Sequence, residues 1–313
     1  MSALEERAEG APQTVAAHVR RMLDVPWTKA KALCTSGRVW VDGQRAQDPA
    51  RRVPAGALIR VEPEAPRVRK GVLPDDAVLF VDPQVVVVDK PAATLTLPFD
   101  GDERDTLVDR VRAYLQRRAG GRKNQRDAFV GVVHRLDKDT TGVLVFARTM
   151  KAKRSLEAQL REHTMGRRYL AIAHGAPEST THVSHIVRNR GDGLRGSWGT
   201  RPHHRGAPPA DAKRSVTHVE VLERLRGASL VACRLETGRQ HQIRIHLAEA
   251  GAPLVGERVY IRDFAGPAIE APRPMLHAAE LAFDHPTTGE RVRFERDPPA
   301  DLRRVLESLR VPT

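Results

Sequence analysis

Cysteine is nearly absent. The 313 residues hold only Cys34 and Cys233, far apart in unrelated contexts, which excludes a disulfide framework and a CxxC zinc or redox site. No apolar run approaches the roughly 18 residues that a membrane span requires, and the acidic, alanine-rich start MSALEERAEGAPQ lacks the basic-then-apolar pattern of a signal peptide. A soluble, unexported protein of a reducing cytoplasm is expected. Aromatic residues are scarce at 4%, which argues against a broad base-stacking platform for single strands. The thirteen histidines include the pairs His203/His204 and His241/His246, yet no HxxxH, HExxH or mixed Cys/His set has ligand spacing, so no metal and no cofactor is expected.

What the chain does have is positive charge. Lys and Arg number 52 against 39 Asp and Glu, a net +13 with a pI near 10.5, and this balance points to a polyanionic partner, nucleic acid first. The length suits about two domains. Residues 1–11 lack apolar periodicity and read as a disordered lead. Val15, Val19, Met22 and Leu23 recur at helical spacing, and a second short helix runs from Thr28 through Leu33 with Gly37 as its stop. VWVDGQRA alternates and turns at Asp42-Gly43, and ALIRVE from Ala57 supplies another strand. Residues 12–62 carry nine basic residues against four acidic ones. This stretch resembles the S4-type RNA-binding domain, whose G-x-V-x-V-[ND]-G pattern stands here as Gly37-Arg38-Val39-Trp40-Val41-Asp42-Gly43, with Arg38 an RNA-contact candidate. A small basic helix–hairpin module with solvated charges fits the residue types too. A Pro- and charge-rich linker, 63–75, follows.

From residue 76 to 313 an α+β domain with a mixed, largely antiparallel sheet is expected. It opens with a hairpin of Val78–Val81 and Val85–Val88 and a helix from Asp105 to Arg118, before the basic loop GGRKNQR. Strands Phe129–Val133 and Val143–Ala147 flank a polar interruption, and Thr149 caps the next helix. Tyr169–Ala173 alternates as a strand. His218–Glu223 and Leu230–Glu236 form a hairpin, and a helix covers about Gln240–Ala250. Residues 188–206 show no periodicity and read as a mobile or partner-ordered RNA-contacting loop.

Asp137 is the leading site candidate, because it lies between the buried stretches FVGVV and VLVFA where a solvated carboxylate has little reason to be. Taken alone, an Asp beside Arg and Lys in a turn also serves as a cap or ion-pair partner. The string HRLDKDTTGVLVFA, 134–147, resembles the HRLDxxTSGLLLFA motif of the RluA family of RNA pseudouridine synthases, with Thr141 where Ser is usual. LFVDPQVVVVDKPAATLTLP, RRYLAIAHG, RLETGRQHQIRIHLAEAGAPLVGERVY and MLHAAELAFDHPTTGE resemble further family strings in the same order, so the resemblance covers roughly 76–310.

The resemblance implies isomerisation of uridine: the N1–C1′ bond breaks, the uracil turns, and C5 rejoins C1′. It implies Asp137 as nucleophile at C1′ or base at C2′, and Arg244 as its bidentate partner. Tyr169 would stack on the flipped base and help with the C5 proton, with Leu254 packed on the base's other side. Arg135 would brace the gap left by base flipping. His134 is expected to orient the loop, and Arg239 joins Arg38 among the RNA contacts. Outside the resemblance, Arg244 could snorkel to solvent, Tyr169 could be an ordinary half-buried aromatic and Leu254 plain core. The expected partner is structured RNA, large-subunit ribosomal RNA ahead of transfer RNA, bound by a monomer. The rivals are a non-catalytic ribosome-assembly factor and a hydrolytic RNA glycosidase.

Overall fold

The computed structural model describes residues 4–10, 13–42, 44–46, 48–53, 55–65, 71, 73–98, 105–119, 129–201, 204 and 206–310. The expected basic loop at 120–126, the turn residue Gly43, His203 and most of the linker's charge run fall outside the described residues. The chain forms two units, Met1–Val72 and Leu73–Thr313.

The first unit packs two helices on a four-stranded sheet. Strand β1 is Leu4–Arg7, helices α1 and α2 are Val15–Leu23 and Trp27–Thr35, and strands β2, β3 and β4 are Val39–Val41, Gln44–Arg45 and Leu58–Val61. Thr14 caps α1 by accepting the Ala17 N–H, and Val15 and Val19 turn inward against Leu33, Val39, Ile59 and Val61. Residues 4–7 correct the expectation of a disordered lead: β1 pairs antiparallel with β4, Leu4 opposite Val61 and Arg7 opposite Leu58. An edge strand of sequence LEER has no apolar alternation to read, and its order comes from the backbone ladder that β4 offers. Cys34 is buried in this core, and burial pushes its thiol up to about 12. Cys233, buried in the second unit, is pushed up likewise, which disfavours the thiolate at both positions.

The second unit is built on an eleven-stranded sheet. Its strands are β5 Val78–Val81, β6 Val85–Lys90, β7 Gly131–Val132, β8 Thr141–Ala147, β9 Gly166–His174, β10 Thr180–Val187, β11 Gly196–Ser197, β12 Lys213–Leu225, β13 Ala228–Leu235, β14 Leu276–Asp284 and β15 Arg291–Glu295. The helices are α3 Leu107–Arg118, α4 Met150–Arg161, α5 Gln242–Glu249 and α6 Ala300–Leu309. Strand order is β11-β10-β12-β13-β9-β14-β8-β6-β5, with β15 on β14 and β7 on β8. All pairs are antiparallel except β14 with β8, so the expected mixed, largely antiparallel sheet is what forms. The β-branched run of β6 and the whole of β8 are buried, as strands covered on both faces must be. No helix among the described residues is long and apolar enough to cross a membrane.

The described residues of 188–206, expected as a mobile or partner-ordered loop, hold one another in place. Gly196–Ser197 returns as β11 against Val187 and Ile186, Asn189 Oδ1 accepts from the Gly191 and Gly193 amides, and Trp198 stacks on His204 at 4.2 Å. Side-chain-to-backbone turns of this kind leave no hydrophobic period behind them.

The parallel β8–β14 seam is unusually close at Gly142. Its φ is +113°, and a Cβ built there would lie 2.1 Å from the Ala278 carbonyl oxygen. Gly142→Ala is therefore expected to cost at least about 2 kcal/mol of stability, read by denaturant unfolding. A change within about 0.5 kcal/mol would contradict the packing described.

Candidate active site

A cavity of about 640 Å³ opens where the β7–β8 loop meets the N-terminal end of α5, above Tyr169 on β9 and Leu276 on β14. His134, Arg135, Leu136 and Asp137 all line it, with Arg167, Tyr169, Leu235, Arg239, His241, Ile243 and Arg244.

The loop carrying Asp137 is held by its own carbonyls. Lys90, at the end of β6 and fully buried, donates from Nζ to the carbonyls of Pro91 (3.0 Å), Lys138 (2.8 Å) and Thr140 (2.8 Å). Thr96 Oγ1 donates to the Leu136 carbonyl at 2.8 Å and accepts the Leu136 amide at 3.2 Å. Arg273 donates to the Asp139 carbonyl at 3.0 Å while its fork grips Asp301. Burial pushes the Lys90 ammonium down to about 7, against the opposing pull of Asp139 and Asp137. With its carbonyls occupied, the loop leaves the Asp137 carboxylate facing the cavity.

The opposite side is built by the TGRQHQ turn. Gln242 Oε1 accepts from Thr237 Oγ1 (2.8 Å) and the Arg239 amide (3.0 Å), while its amide donates to Val216 and Thr217. This buried, fully satisfied amide fixes the start of α5. Gly238 lies close under Arg167, whose Nη1 would be 2.5 Å from a Cβ built there.

Arg244 corrects one expectation. Its bidentate partner is Glu257, with Nε–Oε2 and Nη2–Oε1 both 2.7 Å, and not Asp137. Nη1 is left 3.8 Å from Asp137 Oδ2. The buried helical Arg demanded a desolvated counter-charge, and Glu257, whose side chain is 0% exposed, meets it from the segment after α5. Burial works to raise the Glu257 carboxyl, but the Arg244 bonds and the Val259 and Tyr260 amides hold it below the ordinary range. Tyr260 completes the group, its ring 5.3 Å from the Arg244 guanidinium and its hydroxyl 2.8 Å from His241 Nδ1. His241 Nε2 lies 3.9 Å from Asp137 Oδ1.

The other candidates divide. Tyr169 is 6% exposed and lines the cavity, and burial raises its phenol above its ordinary value. Arg135 is exposed at the cavity edge. His134 was expected to orient the loop, yet its ring lines the cavity; burial, then Arg167, pulls it down to about 3, and Nε2 has no partner among the described residues. Arg239 is exposed, its Nε 3.3 Å from the Arg214 carbonyl. Leu254 does not line the cavity: it is fully buried in the main core and bridges Ala173, so its side chain is spent on packing. Arg38 belongs to the first unit, where its Nε donates to the Ala65 carbonyl at 2.8 Å. Reasoning from sequence missed Lys90, Arg167, His241, Glu257 and Tyr260; the one available signal was Glu257 within the apolar run LVGERVY.

The family model described as RNA pseudouridylate synthase matches residues 84–249, more than half the chain, and the S4 domain model matches 19–59. The chain belongs to the RNA pseudouridylate synthase family. It is an RNA pseudouridine synthase, an isomerase, with an S4 domain in front. The ribosomal large subunit pseudouridine synthase D of Zymomonas mobilis is 34% identical over 292 residues, covering 90% of this chain and 89% of that one. The uncharacterized RNA pseudouridine synthase YlyB of Bacillus subtilis is 35% identical over 290 residues, covering 90% and 89%. Human RNA pseudouridylate synthase domain containing 4 shares the fold, with a TM-score of 0.61 at 20% identity over 76% of this chain and 95% of its own.

Replacing Glu257 by Gln in this synthase leaves the buried Arg244 charge without its counter-ion. A loss of about 3 kcal/mol is expected, measured by thermal or denaturant unfolding at pH 7. Because the folded carboxyl titrates below its unfolded value, the wild-type advantage is full above pH of about 4.3 and shrinks as pH falls further. Equal stability at pH 7 would show that the pair is not the counter-charge described.

Proposed function

We propose that this synthase isomerises uridine in large-subunit ribosomal RNA in the cytoplasm, with Asp137 acting on the ribose. The observation that carries the reading is the Asp137 carboxylate presented to the cavity by a clamped loop, with Arg244 Nη1 at 3.8 Å behind it. The substrate class is supported by the name of the Zymomonas mobilis relative, and by the basic S4-type unit in front of the catalytic one.

Breaking N1–C1′ leaves electron-poor carbon at C1′ and an electron pair on N1. A carboxylate beside the sugar answers the first, by adding to C1′ or by removing a C2′ proton. Arg244, braced by Glu257, keeps a donor aimed at that carboxylate without competing for its geometry, a rigidity a Lys in its place would lack. The detached uracil is anionic while it turns, so it needs donors in a site closed to bulk water. Arg167 and the exposed edge residue Arg239 supply positive charge there, and Tyr169 offers an aromatic face. Arg135, exposed and long, is placed to fill the stack vacated by the flipped nucleotide. Arg38 lies in the basic unit suited to phosphate contacts.

The test uses large-subunit ribosomal RNA transcribed in vitro, with pseudouridines mapped after incubation. Asp137→Asn is expected to keep RNA affinity and to lose product formation by roughly 10³-fold or more. Retained turnover would remove Asp137 from the chemistry. Release of free uracil by the wild type would mean hydrolysis in place of isomerisation, and turnover only on transfer RNA would overturn the substrate.

A further inference from the structure

We propose that His241 is the base that removes the C5 proton once C5 has joined C1′, an inference that rests on the functional reading above. Isomerisation requires this proton to leave. At that moment C5 is bonded to the carbon that Asp137 faces, so the base must stand next to the Asp137 carboxylate. Among the described residues two side-chain nitrogens do, Arg244 Nη1 at 3.8 Å and His241 Nε2 at 3.9 Å. The guanidinium has no lone pair to offer. The imidazole has one, and it lines the cavity.

The ring is set for the task. Its Nδ1 lies 2.8 Å from the Tyr260 hydroxyl, and when Nδ1–H donates there, Nε2 carries the lone pair toward the cavity. Burial pushes the Tyr260 phenol up to about 12, so it stays a neutral hydroxyl whose oxygen keeps a lone pair for that N–H. The backbone of His241 is in the left-handed region at φ 60°, an unfavourable place for a non-glycine residue directly before a helix. Such strain persists where the surroundings hold a side chain in one position.

Burial favours the neutral form of the ring, and the charges around it divide. Asp137 faces it from the β7–β8 loop, Arg244 from its own helix, Glu257 and Tyr260 from the following segment, and Arg195 from the approach to β11. Burial, the largest effect, lowers its titration below the usual histidine range, Asp137 and Glu257 pull the other way, and Arg244 and Arg195 add to the lowering. Near pH 7 the imidazole is available as a base. Burial raises the phenol of Tyr169, the other group suggested for this proton, which favours the neutral imidazole as the acceptor.

The step balances. Nε2 takes the C5 proton and the C–H electron pair restores the ring double bond. The imidazolium forms beside the Asp137 carboxylate, which by then is free of the sugar by either route. N1, holding the electron pair of the broken glycosidic bond, takes one proton from the imidazolium or from water, so no proton is gained or lost overall.

The experiment compares single-turnover rates on large-subunit ribosomal RNA transcripts made with uridine or with 5-deuterouridine. His241→Gln is expected to bind RNA normally, to form pseudouridine about 10²–10⁴-fold more slowly, and to show a primary isotope effect larger than the wild type's. Imidazole added to His241→Gly should restore part of the rate. Tyr260→Phe keeps the base but frees its tautomer, so it should show a smaller loss and a shifted acid limb in its pH–rate profile. His241→Gln turning over at the wild-type rate, or slowly without an increased isotope effect or imidazole rescue, overturns the assignment. Should the Gln and Gly variants fail to fold, an unchanged acid limb in Tyr260→Phe overturns it. A wild type that yields no pseudouridine would instead sink the functional reading itself.

Discussion

The site depends on how one short loop is tied down. Between β7 and β8 the chain must leave a sheet buried on both faces, expose a carboxylate to a cavity and return, and its carbonyls would be costly if left without donors. The fully buried Lys90 supplies them: three carbonyls take all three ammonium hydrogens. Thr96 and Arg273 hold the Leu136 and Asp139 carbonyls on either side. A buried cation satisfied by backbone oxygens alone is expensive to maintain, which is why burial drags its titration down to about 7. The return is that Asp137 is offered to the cavity by a fixed backbone.

A second constraint follows from the first. A carboxylate on a fixed loop needs a cation that will not wander, and an Arg bound bidentately to Asp137 would have occupied both of the oxygens it offers to the cavity. The structure divides the labour. Glu257 takes both ends of the Arg244 fork, leaving Nη1 toward Asp137, and Tyr260 connects this pair to His241. The start of α5 contributes His241 and Arg244, and the following segment Glu257 and Tyr260, to a network closed around Asp137.

Much of this was legible in the sequence for physical reasons. The all-β-branched run Val85 to Val88 and the stretch VLVFA could only be buried strands, and a polar interruption between such strands marks a loop at a site. Arg244 on the apolar face of a helix announced that it needed a partner. What the sequence could not convey was which acid would answer, because Asp137 and Glu257 are equivalent as charges and differ only by where the fold carries them. Lys90 was invisible for a related reason: a Lys that serves backbone carbonyls needs no complementary side chain. Leu254 looked like a base-stacking residue and is core, since burial and cavity-lining share one residue type. The order of 188–198 and of the first strand rests on backbone ladders and Asx turns, which have no hydrophobic period.

The most direct test of the account is hydrogen exchange and turnover in Lys90→Met. If the ammonium clamps the loop, the Leu136 and Thr140 amides exchange faster in this variant. RNA affinity then stays as it was, and pseudouridine formation falls by roughly 10²-fold, the scale of a misplaced reacting group. Unchanged amide protection together with a wild-type rate would show that the Asp137 loop holds its position without Lys90, and the constraint placed at the centre of this structure would be wrong.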